Sequence, residues 1–304
     1  MLNEYSLTGD AGRHPSRKKR KLRLALACLL FISMQYGCIK RAPKIKDKEL
    51  IRKEWLLAGD NGRAVLFIHG INGSPIHMLP FARLANQHGF TSRVILLPGH
   101  CHGHRELQHA SAAAWQRKVE MEYDKLAAEY DDVTVVGFSL GSALTLQLCL
   151  NRPVARTVII SPPLKLWTEN IFKPESIRKL GRVIMWIPVF KNYGTIELNG
   201  DTVRVPVNNT FWIHTAPLLE ADKIVTDYRE RLSEIDCDIQ LIHARHDPVL
   251  DHSSSRSIFL AVSSKNRQLK FVDSRHHTMF LIDKQEEVLQ CFEDFLLDGQ
   301  QINR

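Results

Sequence analysis

Val133-Thr134-Val135-Val136-Gly137-Phe138-Ser139-Leu140-Gly141 is the stretch that decides how this chain folds. Its first four residues are apolar or β-branched without alternation, which reads as a short strand buried on both faces, as in a parallel sheet covered by helices. The next five have the pattern Gly-x-Ser-x-Gly, and residues 140–151 then run on as an apolar helical stretch. A serine between two glycines at a strand-to-helix corner sits on a turn so tight that a Cβ at either flanking position would meet backbone. Such a turn lifts the hydroxyl above the sheet at a helix N-terminus, where amides favour developing negative charge. Ser139 is therefore the candidate nucleophile; its plainer role would be that of a helix N-cap.

Outward from this corner the sequence alternates. Short β-branched runs lie at 64–69, 93–97, 133–138, 156–160, 239–243 and 269–272, with helical patterns near 76–88, 111–130, 140–151, 220–232, 253–262 and 284–298. Strand–helix alternation of this kind predicts an α/β fold with a mostly parallel central sheet flanked by helices. From 162 to about 217 the rhythm breaks, with prolines and aromatics that include Trp167, Phe172, Trp186, Phe190 and Trp212. That stretch is expected to be a cap insertion over the C-terminal edge of the sheet, where it would line an acyl pocket.

A serine hydroxyl is a poor nucleophile without a base, and the base needs an orienting acid. Downstream, the run 239–243 leads into Asp247-Pro248, and the run 269–272 leads into His276-His277. Strand-end residues in the order Ser, Asp, His match the chain order of hydrolases with this serine turn. Asp247 is the candidate acid, although Asp-Pro is also an ordinary turn pair. His277 is favoured as the base because Met279 and Phe280 would then anchor the final helix; His276 is the alternative. An oxyanion hole needs two backbone N–H groups. Leu140, after the nucleophile, would supply one. Ile71, in the loop His69-Gly70-Ile71-Asn72-Gly73-Ser74-Pro75, would supply the other.

That loop, Leu97-Pro98-Gly99-His100, the Gly-x-Ser-x-Gly turn and Asp247-Pro248-Val249 together resemble the bacterial carboxylesterase and monoacylglycerol lipase family of the α/β-hydrolase superfamily. The similarity spans roughly residues 62–298, and within 212–251 Ala216-Pro217-Leu218 precedes a helix and then the acid-bearing strand. The resemblance implies Ser139, Asp247 and His277 as triad, Ile71 and Leu140 as oxyanion donors, an acyl ester substrate of monoacylglycerol type, and no cofactor. The same triad would serve an acyltransferase or thioesterase, and the same fold a non-catalytic binding protein. His100, Cys101, His102 and His104 offer metal-ligand chemistry, but four ligands in five residues do not easily converge on one tetrahedral ion. A solvated loop without metal is expected there.

Length and charge bound the rest. With 304 residues, 44% of them hydrophobic, the chain can build one large domain. Its net charge of +8 is misleading, because residues 1–53 hold 14 Lys/Arg against 4 Asp/Glu while the remaining 251 hold 27 against 29. The catalytic part, residues 54–304, is nearly neutral, so no nucleic-acid partner is implied. The basic run Arg17-Lys18-Lys19-Arg20-Lys21 precedes an apolar stretch at 24–34 and then Tyr36-Gly37-Cys38. That is the layout of an export signal, short of the about 20 apolar residues of a spanning helix, and Gly37-Cys38 resembles a bacterial lipoprotein cleavage site. Residues 1–43 are thus expected to be a signal or anchor segment and tether that places the protein at a membrane of the bacterial cell envelope. Lipoprotein, uncleaved signal anchor, and buried or disordered extension are the three forms left open. Six scattered cysteines form no Cys-x-x-Cys pair, and Cys149 and Cys291 read as core thiols.

Overall fold

Strands with no polar face can be accommodated only in the middle layer of a structure, and helices must cover both sides of them. The computed structural model, which describes residues 44–45, 47–165, 186–188, 192–208 and 212–298, meets that requirement with a seven-stranded sheet. Its strands are β1 (Trp55–Leu57), β2 (Arg63–Ile68), β3 (Thr91–Ile95), β4 (Asp132–Phe138), β5 (Arg156–Ile160), β10 (Asp238–Ala244) and β11 (Arg267–Val272), in the order β1-β3-β2-β4-β5-β10-β11. All pair in parallel except β1, which runs antiparallel to β3 at the edge. This is the α/β-hydrolase architecture expected from the sequence.

Register aligns the strand ends. Ile68 pairs with Gly137, Phe138 with Ile160, and Ile160 with Ile242, so the chain leaves β2, β4, β10 and β11 along one edge of the sheet. The segments carrying Ile71, Ser139, Asp247 and His277 are those four exits.

One face of the sheet is covered by α4 (Ala112–Ala127), α5 (Leu140–Asn151) and α6 (Thr215–Arg229). Trp115, Val119, Leu144, Ile224 and Tyr228 from these helices share one core cluster with Leu66, Val135 and Leu241 of the strands. Residues 140–148 of α5 are all buried, because this helix is sandwiched between the sheet and its neighbours. The other face carries α2 (Leu79–Gln87), α8 (Met279–Ile282) and α9 (Gln285–Asp298). There Phe81 meets Phe280 and Phe292 edge-on at ring separations of 5.2 and 5.4 Å, an arrangement the ring quadrupoles favour. Two further short helices, α1 (Lys48–Arg52) and α3 (His104–Gln108), and α7 (Ser253–Ala261) complete the described α-helices.

Three features differ from the sequence reading. Strand β1 was not foreseen, since three residues at a sheet edge give too short a pattern. Helix α6 starts at Thr215 instead of near 220, because His214 accepts from the Ala216 amide as N-cap and Pro217 fits the first turn. Cys149 and Cys291 are only partly buried, each packed against the margin of a core cluster.

Between β5 and α6 the described residues form two small antiparallel pairs, β6 (Trp186–Pro188) with β9 (Trp212–His214) and the hairpin β7 (Tyr193–Leu198) with β8 (Asp201–Pro206). The hairpin packs Ile196, Leu198 and Val205 into the core cluster of α2 and α9. Trp167, Phe172 and Phe190, the aromatics expected to line an acyl pocket, lie outside the described residues, as do residues 1–43. Among the described residues no helix is long and apolar enough to cross a membrane.

A charge network fastens the β1–β3 edge to α4. Arg93 donates to Glu122 at 2.8 Å and pairs with Glu54, while Lys118 reaches Glu54 at 2.9 Å and Glu122 at 3.0 Å. Burial raises the Glu122 pKa, but hydrogen bonds and charge from Arg93 and Lys118 outweigh it and hold the carboxyl at about 2. A carboxyl depressed in the folded state stabilises fully above its unfolded pKa, about 4.3, and loses that contribution as pH falls toward 2. Glu122→Gln should therefore cost about 2 kcal/mol in urea unfolding at pH 7, with the deficit roughly halved at pH 3. An equal deficit at both pH values would show that the ionised carboxylate is not what stabilises this edge.

Candidate active site

Ser139 stands between β4 and α5 with φ 54° and ψ −113°, a conformation that side chains other than glycine rarely adopt. Strain of this kind, of order 1–3 kcal/mol, persists only where the surroundings over-determine it. Here they do. The Ser139 amide donates to the Ile160 carbonyl at 2.9 Å, and the Ser142 hydroxyl shares its proton between the carbonyls of Gly137 and Ile160 at 2.8 and 2.7 Å. A Cβ on Gly137 would come within 2.4 Å of the Gly141 carbonyl oxygen, and one on Gly141 within 2.2 Å of the Ile68 oxygen. Both flanking glycines are thus required by close approach of backbone, as the sequence pattern predicts. Ser139 is 7% exposed, so its hydroxyl lies in a nearly dry setting.

Asp247 ends β10 in a turn. Its Oδ1 accepts from the amides of Val249 and Leu250 at 2.7 and 3.0 Å, and its Oδ2 accepts from His277 Nδ1 at 2.7 Å. The Asp247 side chain is fully buried, whereas His277 keeps 15% exposure. Burial works to raise the Asp247 pKa, yet the His277 charge and the bonds from His243, His277 and Leu250 prevail and hold it far below the usual carboxylate range. The His277 ring lies 4.9 Å from the ring of Phe138, the residue before Ser139. His276 is exposed, and its amide is bonded to the Ser274 hydroxyl. Of the two histidines left open by the sequence, His277 is the one joined to Asp247.

The loop after β2 presses on the serine turn: a Cβ on Gly70 would sit 3.1 Å from the Ser139 Cβ. Ile71 follows, half-buried against the core, and Leu140 is the first residue of α5. Among the described residues, neither the Ile71 amide nor the Leu140 amide is used in a loop or cap hydrogen bond to backbone. These two N–H groups lie on adjoining segments beside the serine, the place where donors to a tetrahedral oxyanion are needed.

Sequence reasoning missed what holds this loop. His69 is buried; its Nε2 accepts from the Leu97 amide at 3.1 Å and its Nδ1 lies 2.8 Å from the Gly70 oxygen. Burial, and next the neighbouring His100, push its pKa well below the usual histidine value, so the ring works as a neutral cross-link. His100 is not solvated as expected. It is 1% exposed, meets His69 edge-on at 4.8 Å and Trp115 at a tilt at 5.9 Å, and burial lowers its pKa to about 4. The Cys101 thiol reaches the Gly73 carbonyl at 3.4 Å, and burial pushes it up to about 12. No group of three His, Cys, Asp or Glu side chains among the described residues is placed to share a metal ion. The sequence reading also passed over His243, a histidine within an otherwise apolar strand and four residues before Asp247.

Known proteins are similar to this chain. A carboxylesterase of Bacillus subtilis (strain 168) is 23% identical over 235 residues, which cover 77% of this chain and 92% of that one. A thermostable monoacylglycerol lipase of Bacillus sp. (strain H-257) is 22% identical over 231 residues, 76% of this chain and 89% of that one. Among solved structures, one from work on the metagenome-derived lipolytic enzymes LipS and LipT aligns with a TM-score of 0.69 at 19% identity, over 82% of this chain and 98% of that one. That likeness speaks for the fold alone. The model of the Hydrolase_4 family, described as serine aminopeptidase, S33, matches residues 59–285, and it is to this family of α/β-hydrolase serine enzymes that the chain belongs.

Proposed function

We propose that the protein is a serine carboxylesterase or lipase that cleaves acyl esters of monoacylglycerol type through an acyl-enzyme on Ser139. The observation that carries this is the 2.7 Å bond between Asp247 and His277, made at the same sheet edge as the strained Ser139. Asp247 fixes the tautomer with the proton on Nδ1, which leaves His277 Nε2 free to take the Ser139 proton. The alkoxide then attacks the ester carbonyl, and the oxyanion is met by the amides of Ile71 and Leu140. His277 returns the proton to the leaving alcohol, and water, activated by the same imidazole, releases the acid. Acyl transfer to another acceptor would use the same steps with a different second nucleophile.

The family description names a peptidase, so a second reading is amide hydrolysis at a free N-terminus. That activity needs an anion beside the nucleophile to hold an α-ammonium. Asp247 is spent on two histidines and two backbone amides. The two named relatives are an esterase and a lipase, which favours the ester reading.

The N-terminal segment is part of the proposal. Its basic run followed by an apolar stretch supports a tether that holds the enzyme at a membrane surface of the cell envelope.

Ser139→Ala should abolish covalent labelling by a fluorophosphonate and lower turnover by about 10⁴-fold or more. His277→Ala should be as damaging, and His276→Ala should lose no more than about tenfold. Undiminished labelling of Ser139→Ala would mean that another residue is the nucleophile. On a panel of p-nitrophenyl esters, monoacylglycerols and aminoacyl p-nitroanilides, catalytic efficiency should be highest with medium or long acyl esters. Preference for the anilides would favour the peptidase reading. In cell fractionation the full chain should sediment with membranes, and protein starting near Lys44 should not. A lipoprotein would carry acyl chains on Cys38, so Cys38→Ala would stop its processing.

A further inference from the structure

His243 lies on β10 with its side chain fully buried, and the chemistry described above makes no use of it. Its Nε2 is 3.3 Å from Asp247 Oδ2 and 3.3 Å from the Leu250 carbonyl oxygen, and its Nδ1 is 2.7 Å from the Ser255 hydroxyl on α7. Both neighbours of Nε2 are acceptors, so Nε2 carries the proton. Nδ1 is then a lone pair that takes the Ser255 proton, and the tautomer follows from the partners.

The result is a chain running one way: the Ser255 hydroxyl donates to His243, and the His243 Nε2–H, bonded to the Leu250 carbonyl, lies equally close to Asp247 Oδ2, the oxygen to which His277 donates. Asp247 needs such an anchor. Arg245, His246, Pro248 and Val249 around it are exposed, and its Oδ1 bonds come from amides of its own turn. His243 sets the carboxylate beside the middle of a strand whose residues Leu241, Ile242 and Ala244 are fully buried.

We infer that His243, oriented by Ser255, is a positioning residue for the acid of the triad: it holds Asp247 Oδ2 in line with His277 and shares that oxygen's charge. The inference rests on the triad proposed above. Its consequence has a sign. A donor on Oδ2 draws electron density from the oxygen facing His277. Losing it makes Asp247 a stronger partner for the protonated imidazole, so the base becomes harder to deprotonate. Among the described residues, the titratable groups facing Asp247 are His243 from β10 and His277 from the segment after β11. Nearby, Asp251 is engaged by the Ser253 amide at 2.9 Å and by His252 at 3.8 Å, with Lys165 acting on it by charge, and His246 pairs with Asp273 at 3.7 Å.

The test is the pH profile of kcat/KM for a p-nitrophenyl ester, measured on the full chain. His243→Ala should lower kcat by about 10- to 100-fold with little change in KM. Its acid limb should move to higher pH by about half a unit or more. His243→Gln, whose amide N–H reaches about as far as Nε2, should recover most of the rate and return the limb. Ser255→Ala keeps the imidazole but frees its tautomer, and should move the limb the same way by less. If His243→Ala fails to fold, the other two variants carry the comparison. An acid limb that stays in place in Ser255→Ala and in every folded His243 variant would overturn the inference. So would a rate loss in His243→Ala that His243→Gln does not restore, because that pattern belongs to packing alone. Failure of the triad itself would look different: His277→Ala would keep its activity, whatever His243 did.

Discussion

Backbone meets backbone at residues 137–141 with no room for a single extra carbon, and the candidate catalytic edge depends on that contact. The first turn of α5 lies against the end of β2, close enough that a Gly141 Cβ would stand 2.2 Å from the Ile68 oxygen. Such proximity forces Ser139 into a left-handed conformation and lifts it above the sheet. It also brings the loop after β2 against the serine, since Gly70 lies within contact of Ser139 and Phe138. One steric constraint therefore places the hydroxyl, the Leu140 amide and the Ile71 segment together. A glycine at each of three positions is what permits it.

Around this corner, histidine is used in two chemically distinct ways. His69, His77 and His100 are buried, and burial drives their pKa values down, so they serve as neutral spacers that link loops through backbone carbonyls and amides. His277 differs by keeping partial exposure and facing a carboxylate. An imidazole proposed to cycle between neutral and charged forms needs a counter-charge and an open side, and His277 has the Asp247 carboxylate and partial exposure. His243 stands between the classes, buried like the spacers yet bonded to the same carboxylate.

Much of this was legible in the chain before any coordinates. Apolar strand runs alternating with helical patterns gave the layered architecture, and three reactive residues at strand ends gave the candidate site. Where the sequence reading fell short, the causes were physical. Edge strand β1 is too brief to show a period. His100 looks solvated in a run with Cys101, His102 and His104, and only the packing of His69 and Trp115 around it reveals that it is buried. His243 reads as one polar residue in a strand until Asp247 folds back beside it.

The sequence by itself determined the local chemistry: which serine could occupy a strained turn, and which runs must be buried on both faces. These are properties of neighbours along the chain, governed by backbone sterics and by the period of apolar residues. Tertiary structure decided between two adjacent histidines, of which the sequence favoured His277 and left His276 open. His276 and His277 are equivalent in composition and differ only in direction, because Thr278, Met279 and Phe280 bury at the start of α8 and turn His277 toward Phe138 and Asp247. Partnership between residues 30 positions apart is set by the register of β10 against β11. Long-range register comes from the packing of the whole sheet, which no local stretch of sequence encodes.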